Sequence, residues 1–521
     1  MRGDGREHFR IGPGPVEEAG GARVTFYGIT TFSDRILFIL DVSGSMDKPA
    51  QKERPQPDRI SVAKKELLGA LSLVGDGHRF NVLVFNHEVL PWQPGMVSAT
   101  EEQRRRAKDW IEERQPVGGT NIHDALVEAL QQPPAPGMLP IVLFLTDGLP
   151  TIGNTSEVAI REVVEQGNPH KRRLFTFGVG HDVNVPLLDR IAEVTRSTST
   201  YILPGEDVEL KVAQVYRRLF GPVFADPRLE TLDAAGNITT LAVRELIPAA
   251  LPDLFDGDQI VLLGQYRGTA PLRIRLKGSY LGEPREFMLE FPLEGATTRN
   301  AFVPRLWAGR RIAFLIDQIR QAGAASASRP ALVGDSIFND PRFRELREEI
   351  LRLSTEFGIL SEYTSFLATE GTDLGEWENL IAVCGTELEG KAVRTRWGEG
   401  AVSQGRNNDK MKKQEQVEAR SVFYSSKNER VEVQNVFQVA DRGLFKRGRS
   451  WIDGNVVARK GELTPDQIIA YGTPEFAALL DQLVKDGRQA LVARKGEILL
   501  RYQDRNILVR NGFEEQESEE K

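Results

Sequence analysis

Short apolar segments alternate with amphipathic segments between residues 23 and 222. In the amphipathic segments apolar side chains recur every three or four residues, as at Ile60, Ala63 and Leu67, which predicts helices. The apolar segments contain few polar positions and predict strands buried on both faces. We therefore predict an α/β domain over residues 23–222, with a central, mostly parallel sheet and helices on both faces. The predicted strands are RVTFYGI (23–29), RILFIL (35–40), NVLVFN (81–86), IVLFLT (141–146), LFTFGVG (174–180) and TYILP (200–204).

Two of the predicted helices have features of their own. The helix in TEEQRRRAKDWIEER follows a capping-box signal formed by Ser98 and Glu101. The last helix, over 207–220, is predicted from apolar residues at helical spacing between Val208 and Leu219.

The pattern changes after Pro222, and the rest of the chain is predicted to form separate modules. Strand-like runs separated by Gly and Pro predict an antiparallel β module, and apolar residues spaced 3, 4, 3 and 4 predict helices after it. A polar segment rich in Gly, Lys, Arg, Asn and Gln predicts a linker. The predicted order is a flexible tail (1–22), the α/β domain (23–222), a β-rich module (223–300), a helical segment (301–372), a linker (373–420), a small α+β module (421–512) and an acidic tail (513–521).

Composition excludes several classes of protein. A hydrophobic fraction of 40% and a charged fraction of 27% are typical of globular domains. The net charge of −7 gives no overall basic surface for nucleic acid or anionic membranes. Cys384 is the single cysteine, which excludes an intrachain disulfide and a Cys-rich zinc site. Because no signal peptide or membrane-spanning run is visible, we expect a cytoplasmic protein from this sequence, or an exported one if an upstream part is missing.

Polar side chains with oxygen donors follow two of the predicted parallel strands. Asp41 follows RILFIL and is itself followed by Ser43 and Ser45, while Asp147 follows IVLFLT. In open α/β sheets the carboxyl ends of the strands form the ligand-binding edge. A third segment, GGTNIHDAL, places Thr120 after two glycines and at the start of a predicted helix. If the three loops converge, three hydroxyls and two carboxylates suit Mg²⁺, Mn²⁺ or Ca²⁺ better than zinc.

DVSGS, the Thr after GG, and TDG resemble the metal-ion-dependent adhesion site of von Willebrand factor A (VWA) domains. The resemblance covers roughly residues 32–370 and extends to the inter-alpha-trypsin inhibitor heavy chains and their bacterial relatives. It is carried by GGTNIHDALVEAL, FLTDGLPTIGNT, LFTFGVGHDVNVPLLDRIAE, LPDLFDGDQIVLLGQY, RLWAGRRIAFLIDQIR and EEILRLSTEFGILSEYTSFL.

The resemblance implies a Rossmann-like VWA domain and a role for each of the five residues. Ser43, Ser45 and Thr120 would coordinate a metal ion, most simply Mg²⁺, through neutral hydroxyls. Asp41 and Asp147 would balance charge directly or through water and orient those ligands. One open coordination position would accept an Asp or Glu carboxylate from a protein partner. We read Asn121 as a helix-start residue and not as a ligand.

Several other motifs favour structural interpretations. GTELEGKA (385–392) resembles a phosphate-binding loop but has Ala392 where a Ser or Thr would reach Mg²⁺, so we expect a loop leading into the linker. The Arg2, Gly3 and Asp4 tripeptide, which integrins can bind, is expected to be a chance match. His123 with Asp124 and His181 with Asp182 are poor catalytic pairs, and no nucleophile elbow accompanies them. Cys384 is expected to be a buried small side chain.

Together these features favour a metal-dependent adhesion or scaffold protein that is not an enzyme. The alternative is an accessory subunit of a separate ATPase or of a metal-dependent enzyme complex, since this chain has no competent phosphate loop of its own. A third possibility is a metal ion with a purely structural role.

Overall fold

The computed structural model of the chain describes most of its length, and every statement below refers to that part. The described residues are 25–26, 29–30, 35–48, 58–133, 140–203, 224–255, 258–267, 270–280, 283–292, 302–327, 337, 340–458 and 463–510. The predicted tails, the predicted helix over 207–220 and the Arg2, Gly3 and Asp4 tripeptide lie outside these residues.

The first domain is built on a mostly parallel sheet, as the apolar pattern predicts. Strand β3 lies at its centre and pairs in parallel with β4 on one side and β7 on the other. The strand order is β5-β4-β3-β7-β8-β9, and β6 pairs with β4. The strands are β3 (Arg35–Asp41), β4 (Arg79–Phe85), β5 (Val89–Pro91), β6 (Val97–Ser98), β7 (Ile141–Thr146), β8 (Arg173–Val179) and β9 (Ser199–Ile202).

Helices cover both faces of this sheet. Successive side chains of β3 point to opposite faces, so Phe38 joins the core under two helices and Ile39 joins the core under the other three. Helices α1 (Arg59–Leu73) and α2 (Glu101–Glu112) cover the first face, and α3 (Ile122–Gln131), α4 (Glu157–Gln166) and α5 (Val185–Val194) cover the second. Every residue of β7 is buried, and its sequence is apolar up to the final Thr146 and shows no alternation.

Two local predictions in this domain are wrong. The helix cap of α2 is Thr100, whose hydroxyl accepts a hydrogen bond from the Gln103 N–H at 3.3 Å. Ser98 instead pairs with Arg79 as part of strand β6, so it is not available as a cap. In the segment 23–29, the described residues belong to β1 (Thr25–Phe26) and to the start of β2 (Ile29–Thr30), which pair in a two-stranded sheet separate from the central one.

The following region is β-rich, as predicted. Strands β10, β13 and β14 form a three-stranded antiparallel sheet, and β11 and β12 form a separate pair. These strands are β10 (Phe224–Leu232), β11 (Val243–Ile247), β12 (Leu263–Tyr266), β13 (Leu272–Tyr280) and β14 (Glu283–Phe291).

The predicted linker over 373–420 is mostly helical. The helical segment begins with α6 (Phe302–Ala327) and α7 (Pro341–Phe357) and continues through α8 (Trp377–Leu388) and α9 (Glu399–Lys412). GTELEGKA therefore ends a helix and continues into a helical turn, and is not a loop. In α9, a side chain at Gly405 would place its Cβ 2.8 Å from Val185 Cγ1, so this glycine permits close packing on α5. The polar residues that suggested a linker lie on this helix, and some of their side-chain amides form hydrogen bonds inside the protein. The Asn407 side chain, for example, forms two hydrogen bonds with the Tyr424 backbone.

The last described region combines a two-stranded hairpin with a six-stranded sheet, in agreement with the predicted α+β class. The hairpin is β15 (Val422–Tyr424) and β16 (Arg430–Glu432), and the sheet has the order β17-β18-β19-β21-β22-β20. Its elements are β17 (Val436–Val439), β18 (Arg442–Arg447), β19 (Ser450–Asp453), α10 (Gly454–Val457), β20 (Gln467–Ala470), α11 (Pro474–Lys485), β21 (Glu497–Tyr502) and β22 (Arg505–Arg510). Across the described ranges, none of the helices combines the length and apolarity needed to cross a membrane.

Candidate metal centre

Neighbouring strands bring the two predicted carboxylates together. Asp41 is the last residue of β3, and Asp147 directly follows β7, the strand paired with β3. Neither carboxylate side chain is exposed to solvent. The prediction that these two residues share the carboxyl edge of the sheet therefore agrees with the fold.

The loop that carries Thr120 is fastened to the loop after β3. The Gly44 N–H donates to Gly118 O at 2.9 Å, and the Val117 N–H donates to Val42 O at 2.9 Å. Gly118 has a φ of +77°, and a Cβ there would lie 2.4 Å from a ring nitrogen of His87. Only glycine fits at this position, which explains one of the two glycines that precede Thr120.

The hydroxyls and carboxylates form one connected group. The Ser45 hydroxyl donates to Asp147 Oδ1 at 2.7 Å, and the Ser43 and Ser45 oxygens lie 3.0 Å apart. Since Ser45 has one proton and gives it to Asp147, Ser43 is the donor in the pair of serines. We call Asp41, Ser43, Ser45, Thr120 and Asp147 the strand-end cage.

Both oxygens of Asp41 accept hydrogen bonds from neighbouring protein groups. Oδ1 accepts from the Ser43 N–H at 2.8 Å, and Oδ2 accepts from the Thr146 hydroxyl at 2.6 Å. Thr146 was not among the predicted site residues, although its place directly before Asp147 in the TDG motif could have indicated it. Asp41 is thereby held as an orienting group, with its oxygens turned toward protein donors.

Asp147 is held in the same way by a residue that the sequence analysis did not identify. Arg59, the first residue of α1, donates from Nη1 to Asp147 Oδ2 at 2.8 Å and from Nη2 to Asp182 Oδ2 at 2.7 Å. A cation in the first turn of a helix is electrostatically unfavourable, which is a weak signal that this arginine has an external partner. Asp182, which we considered as part of a catalytic pair with His181, is instead a partner of Arg59.

The hydroxyls of Thr120 and Ser45 both lie beside Gly148. A Cβ added to Gly148 would lie 3.4 Å from Ser45 Oγ and 3.4 Å from Thr120 Oγ1, so the two oxygens approach one common point. The Thr120 backbone is fixed by its N–H, which donates to Thr151 Oγ1 at 2.8 Å. The five predicted residues are thus brought together at one edge of the sheet.

The cage contains more negative than positive charge. Burial, followed by repulsion from Asp147, raises the pKa of Asp41 from its ordinary value of 3.8 to about 7. Burial also raises the pKa of Asp147, even though Arg59 and Ser45 act in the opposite direction. In the metal-free protein both carboxylates are therefore poorly compensated.

The donor set fits a hard divalent cation. The oxygens of Ser43 and Ser45 are 3.0 Å apart, close to the edge of about 3 Å that an octahedron with Mg–O bonds of about 2.1 Å requires. No group of three or more His, Cys, Asp or Glu side chains arranged to hold a metal is found in the described part of the chain. The hydroxyl oxygens are the donors that suit a cation at this edge, because protein groups already bind each carboxylate oxygen of Asp41 and Asp147.

The remaining candidates have structural roles or stay on the surface. Asn121 caps α3 by accepting from the Asp124 N–H, as predicted. His123 and Asp124 do contact each other, at 2.7 Å, contrary to our reasoning that adjacent helical residues would not meet. Asp124 also accepts from the Asn121 side chain at 2.8 Å, so its carboxylate has two partners on the first turn of α3. Cys384 is fully buried, and burial raises the pKa of its thiol to about 12, in agreement with a packing role.

Comparison with known proteins gives the same fold assignment. The family model of the von Willebrand factor type A domain matches residues 34–200. Inter-alpha-trypsin inhibitor heavy chain H4 of Homo sapiens is 26% identical over 384 residues, which cover 70% of this chain and 38% of that protein. The chain thus spans well under half the length of this curated relative.

The solved structures that are similar to this chain have low sequence identity to it. A von Willebrand factor type A protein from Catenulispora acidiphila is 19% identical, with a TM-score of 0.42 and coverage of 62% of this chain and 80% of that chain. Proximal thread matrix protein 1 from the mussel byssus, solved with a zinc-occupied MIDAS motif, is 20% identical, with a TM-score of 0.28 and coverage of 36% and 45%. From its family match and its sheet order, this chain contains a von Willebrand factor type A domain over residues 34–200, and the chain is similar in sequence to the inter-alpha-trypsin inhibitor heavy chains.

Proposed function

We propose that the strand-end cage binds a divalent cation, most simply Mg²⁺, and uses it to capture an Asp or Glu carboxylate of a protein partner. One observation carries this proposal. All four carboxylate oxygens of Asp41 and Asp147 accept hydrogen bonds from protein donors, whereas the hydroxyl oxygens of Ser45 and Thr120 both lie 3.4 Å from one point beside Gly148. Mn²⁺ or Ca²⁺ would suit the same oxygen donors.

Each residue of the cage would have a distinct task. Ser43, Ser45 and Thr120 would bind the cation through neutral oxygens. Asp147 would accept the hydrogen bond from the Ser45 hydroxyl, which turns a lone pair of Ser45 Oγ toward the cation. Asp41 would hold the Ser43 backbone in place. A cation held mainly by neutral ligands keeps most of its charge and attracts an anionic oxygen from outside.

Binding is a better proposal than catalysis because the ionisable groups at the cage are already engaged. The carboxylates of Asp41, Asp147 and Asp182 all accept hydrogen bonds from protein donors within the site, which favours an orienting role over that of a general base on a bound water. The similarity to the heavy chains favours a protein as the partner. The role of an accessory subunit in an enzyme complex is compatible with the same chemistry, but no contact in the site favours it.

The test is whether metal and carboxylate bind cooperatively. Mn²⁺ affinity would be measured with and without a short peptide that carries one Glu, and peptide affinity with and without Mn²⁺. We expect each ligand to tighten the other by the same factor, because coupling between two ligands is reciprocal. Asp41→Ala and Thr120→Ala should abolish metal binding.

Ser72→Ala is the matched control for Thr120→Ala. Its hydroxyl bonds to Gly69 O at the far end of α1, so its loss should leave metal binding unchanged. Metal binding with no response to the peptide would mean that the metal has a structural role. A folded protein that binds no divalent cation would contradict the proposal.

A further inference from the structure

The guanidinium of Arg59 fills a narrow position between two carboxylates and a glycine. Its side chain is only 8% exposed and lies between Asp147 and Asp182. Gly180, with a φ of +81°, approaches it so closely that an added Cβ would lie 3.2 Å from Arg59 Nε. A side chain at Gly180 would crowd the guanidinium, so the tight fit on this side favours glycine.

Arg59 also limits what Asp147 can do. The guanidinium binds Asp147 Oδ2 while the Ser45 hydroxyl binds Oδ1, so one lone pair of each oxygen is taken, and the positive charge of Arg59 opposes a cation at Oδ2. A charged, buried hydrogen bond of this kind is costly to break. Within the described part of the site, Arg59 is the arginine that contacts Asp147 directly.

Asp182, the second partner of Arg59, is held in place by a neighbouring part of the chain. It lies in the loop before α5, and this loop is hydrogen-bonded to the connection between α8 and α9. The Gly398 N–H donates to His181 O at 2.7 Å, and the Val185 N–H donates to Arg396 O at 3.1 Å. The loop that carries Asp182 therefore has little freedom to move, which keeps Arg59 in one orientation.

We infer that Arg59 is a positioning residue that keeps Asp147 out of direct contact with the bound cation and so preserves the affinity of that cation for an external carboxylate. This inference rests on the proposed metal-binding function. Without Arg59, Asp147 would be free to bind the cation directly. The cation would then be held more tightly, but it would attract a partner carboxylate less strongly.

Arg59→Gln tests the inference, because it removes the positive charge and retains a polar side chain. Calorimetric titration should show Mg²⁺ binding that is tighter by roughly tenfold. In the same variant, the factor by which the Glu-containing peptide tightens Mn²⁺ binding should fall toward one. Arg105→Gln, which removes an exposed charge on α2 that faces Asp109, is the matched control and should change neither quantity.

Asp182→Asn provides a second variant in case Arg59→Gln does not fold. Its side chain is 41% exposed, so its replacement should be tolerated by the fold. Arg59 would then be left with Asp147 as its one carboxylate partner at this position, and Mg²⁺ binding should weaken. The two variants therefore shift the affinity in opposite directions.

The outcomes separate this inference from the function on which it rests. If the parent protein binds no Mg²⁺, the proposed function and the inference both fail. If the parent binds Mg²⁺ and folded Arg59→Gln binds it equally or more weakly, the inference is wrong and the proposed function stands. If Asp182→Asn binds Mg²⁺ more tightly than the parent, the inference is also wrong.

Discussion

The strand-end cage and the contact between the VWA domain and the helical segment both bury charge, but they compensate it differently. At the contact, Arg320 of α6 is 1% exposed and lies 3.1 Å from Asp189 of α5 and 3.6 Å from Asp317. Lys412 of α9 lies 3.2 Å from Asp317 on the same surface. Arg320 and Lys412 thus pair with Asp189 and Asp317, and we call these four residues the interface cluster. Lys412 also contacts Glu193, which pairs with Arg190 as well.

The pKa shifts express this difference. Burial alone would lower the pKa of Arg320, but Asp189 and Asp317 raise it overall. Burial alone would raise the pKa of Asp317, but Lys412 and Arg320 lower it overall. In the cage the pKa of Asp41 is raised to about 7, because burial and Asp147 outweigh its hydrogen bonds. The interface cluster is complete without a ligand, whereas the cage lacks positive charge that a cation would supply.

The largest expected effect is at the interface cluster. Arg320→Met leaves Asp189 and Asp317 without their shared guanidinium and should lower the free energy of unfolding by about 3–5 kcal/mol. Urea unfolding at neutral pH is the measurement. Arg352→Met is the matched control, because Arg352 is 40% exposed beside Glu349 and Glu356 on α7. That change should cost at most about 1 kcal/mol, and an equal loss in both variants would contradict the comparison.

Glu362 extends the comparison of buried charges, because it is a buried carboxyl group of the helical segment whose pKa is also raised. Burial raises its pKa from 4.5 to about 7. The folded state therefore binds more protons than the unfolded state between these values, so the stabilisation is complete below 4.5 and is lost as the pH rises through 7. Glu362→Gln should remove this pH dependence, which is worth roughly 3 kcal/mol. Urea unfolding of both proteins across that pH range would test it, and parallel pH profiles would show that Glu362 is not responsible.

Two isosteric changes should shift stability in opposite directions. In metal-free protein at about pH 8, Asp41→Asn removes an ionised carboxylate that is both buried and repelled by Asp147, so it should raise the free energy of unfolding by roughly 1–2 kcal/mol. Asp317→Asn removes the partner of Arg320 and Lys412 and should lower it by a similar amount, roughly 1–2 kcal/mol. Thermal unfolding in the presence of EDTA would measure both changes. Destabilisation by Asp41→Asn under these conditions would mean that the cage is not short of positive charge.

The sequence predicts the central part of the site well because its signals are local. Asp41 and Asp147 follow uninterrupted apolar strands, and parallel strands end at a common edge, so their proximity follows from the pattern. The two glycines before Thr120 similarly indicate a tight turn, and Gly118 has the positive φ that such a turn requires. The capping role of Asn121 follows from the same short segment.

Arg59 and the helix α9 were missed because their roles depend on contacts that are distant in sequence. Arg59 is 88 residues from Asp147 and 123 from Asp182, and its neighbours give only the weak signal of a cation at a helix start. The glycine content of the segment that forms α9 contributed to the linker prediction. The structure shows that Gly405 is a glycine because α5 packs closely against it. Buried polar side chains such as Asn407 gave the segment the composition of a linker while they serve as hydrogen-bond partners inside the fold.

The smallest structural change gives the most direct test of the cage. Gly148→Ala places a methyl group 3.4 Å from both Ser45 Oγ and Thr120 Oγ1 and meets no closer atom, so the fold should tolerate it while the methyl group hinders a cation from reaching the two hydroxyls. Gly95→Ala, whose added Cβ meets nothing within 4 Å, is the matched control. Calorimetric titration of Mg²⁺ into the metal-free proteins should show binding to the parent and to Gly95→Ala, and none to Gly148→Ala. Equal binding by all three, or no binding to the folded parent, would contradict the account.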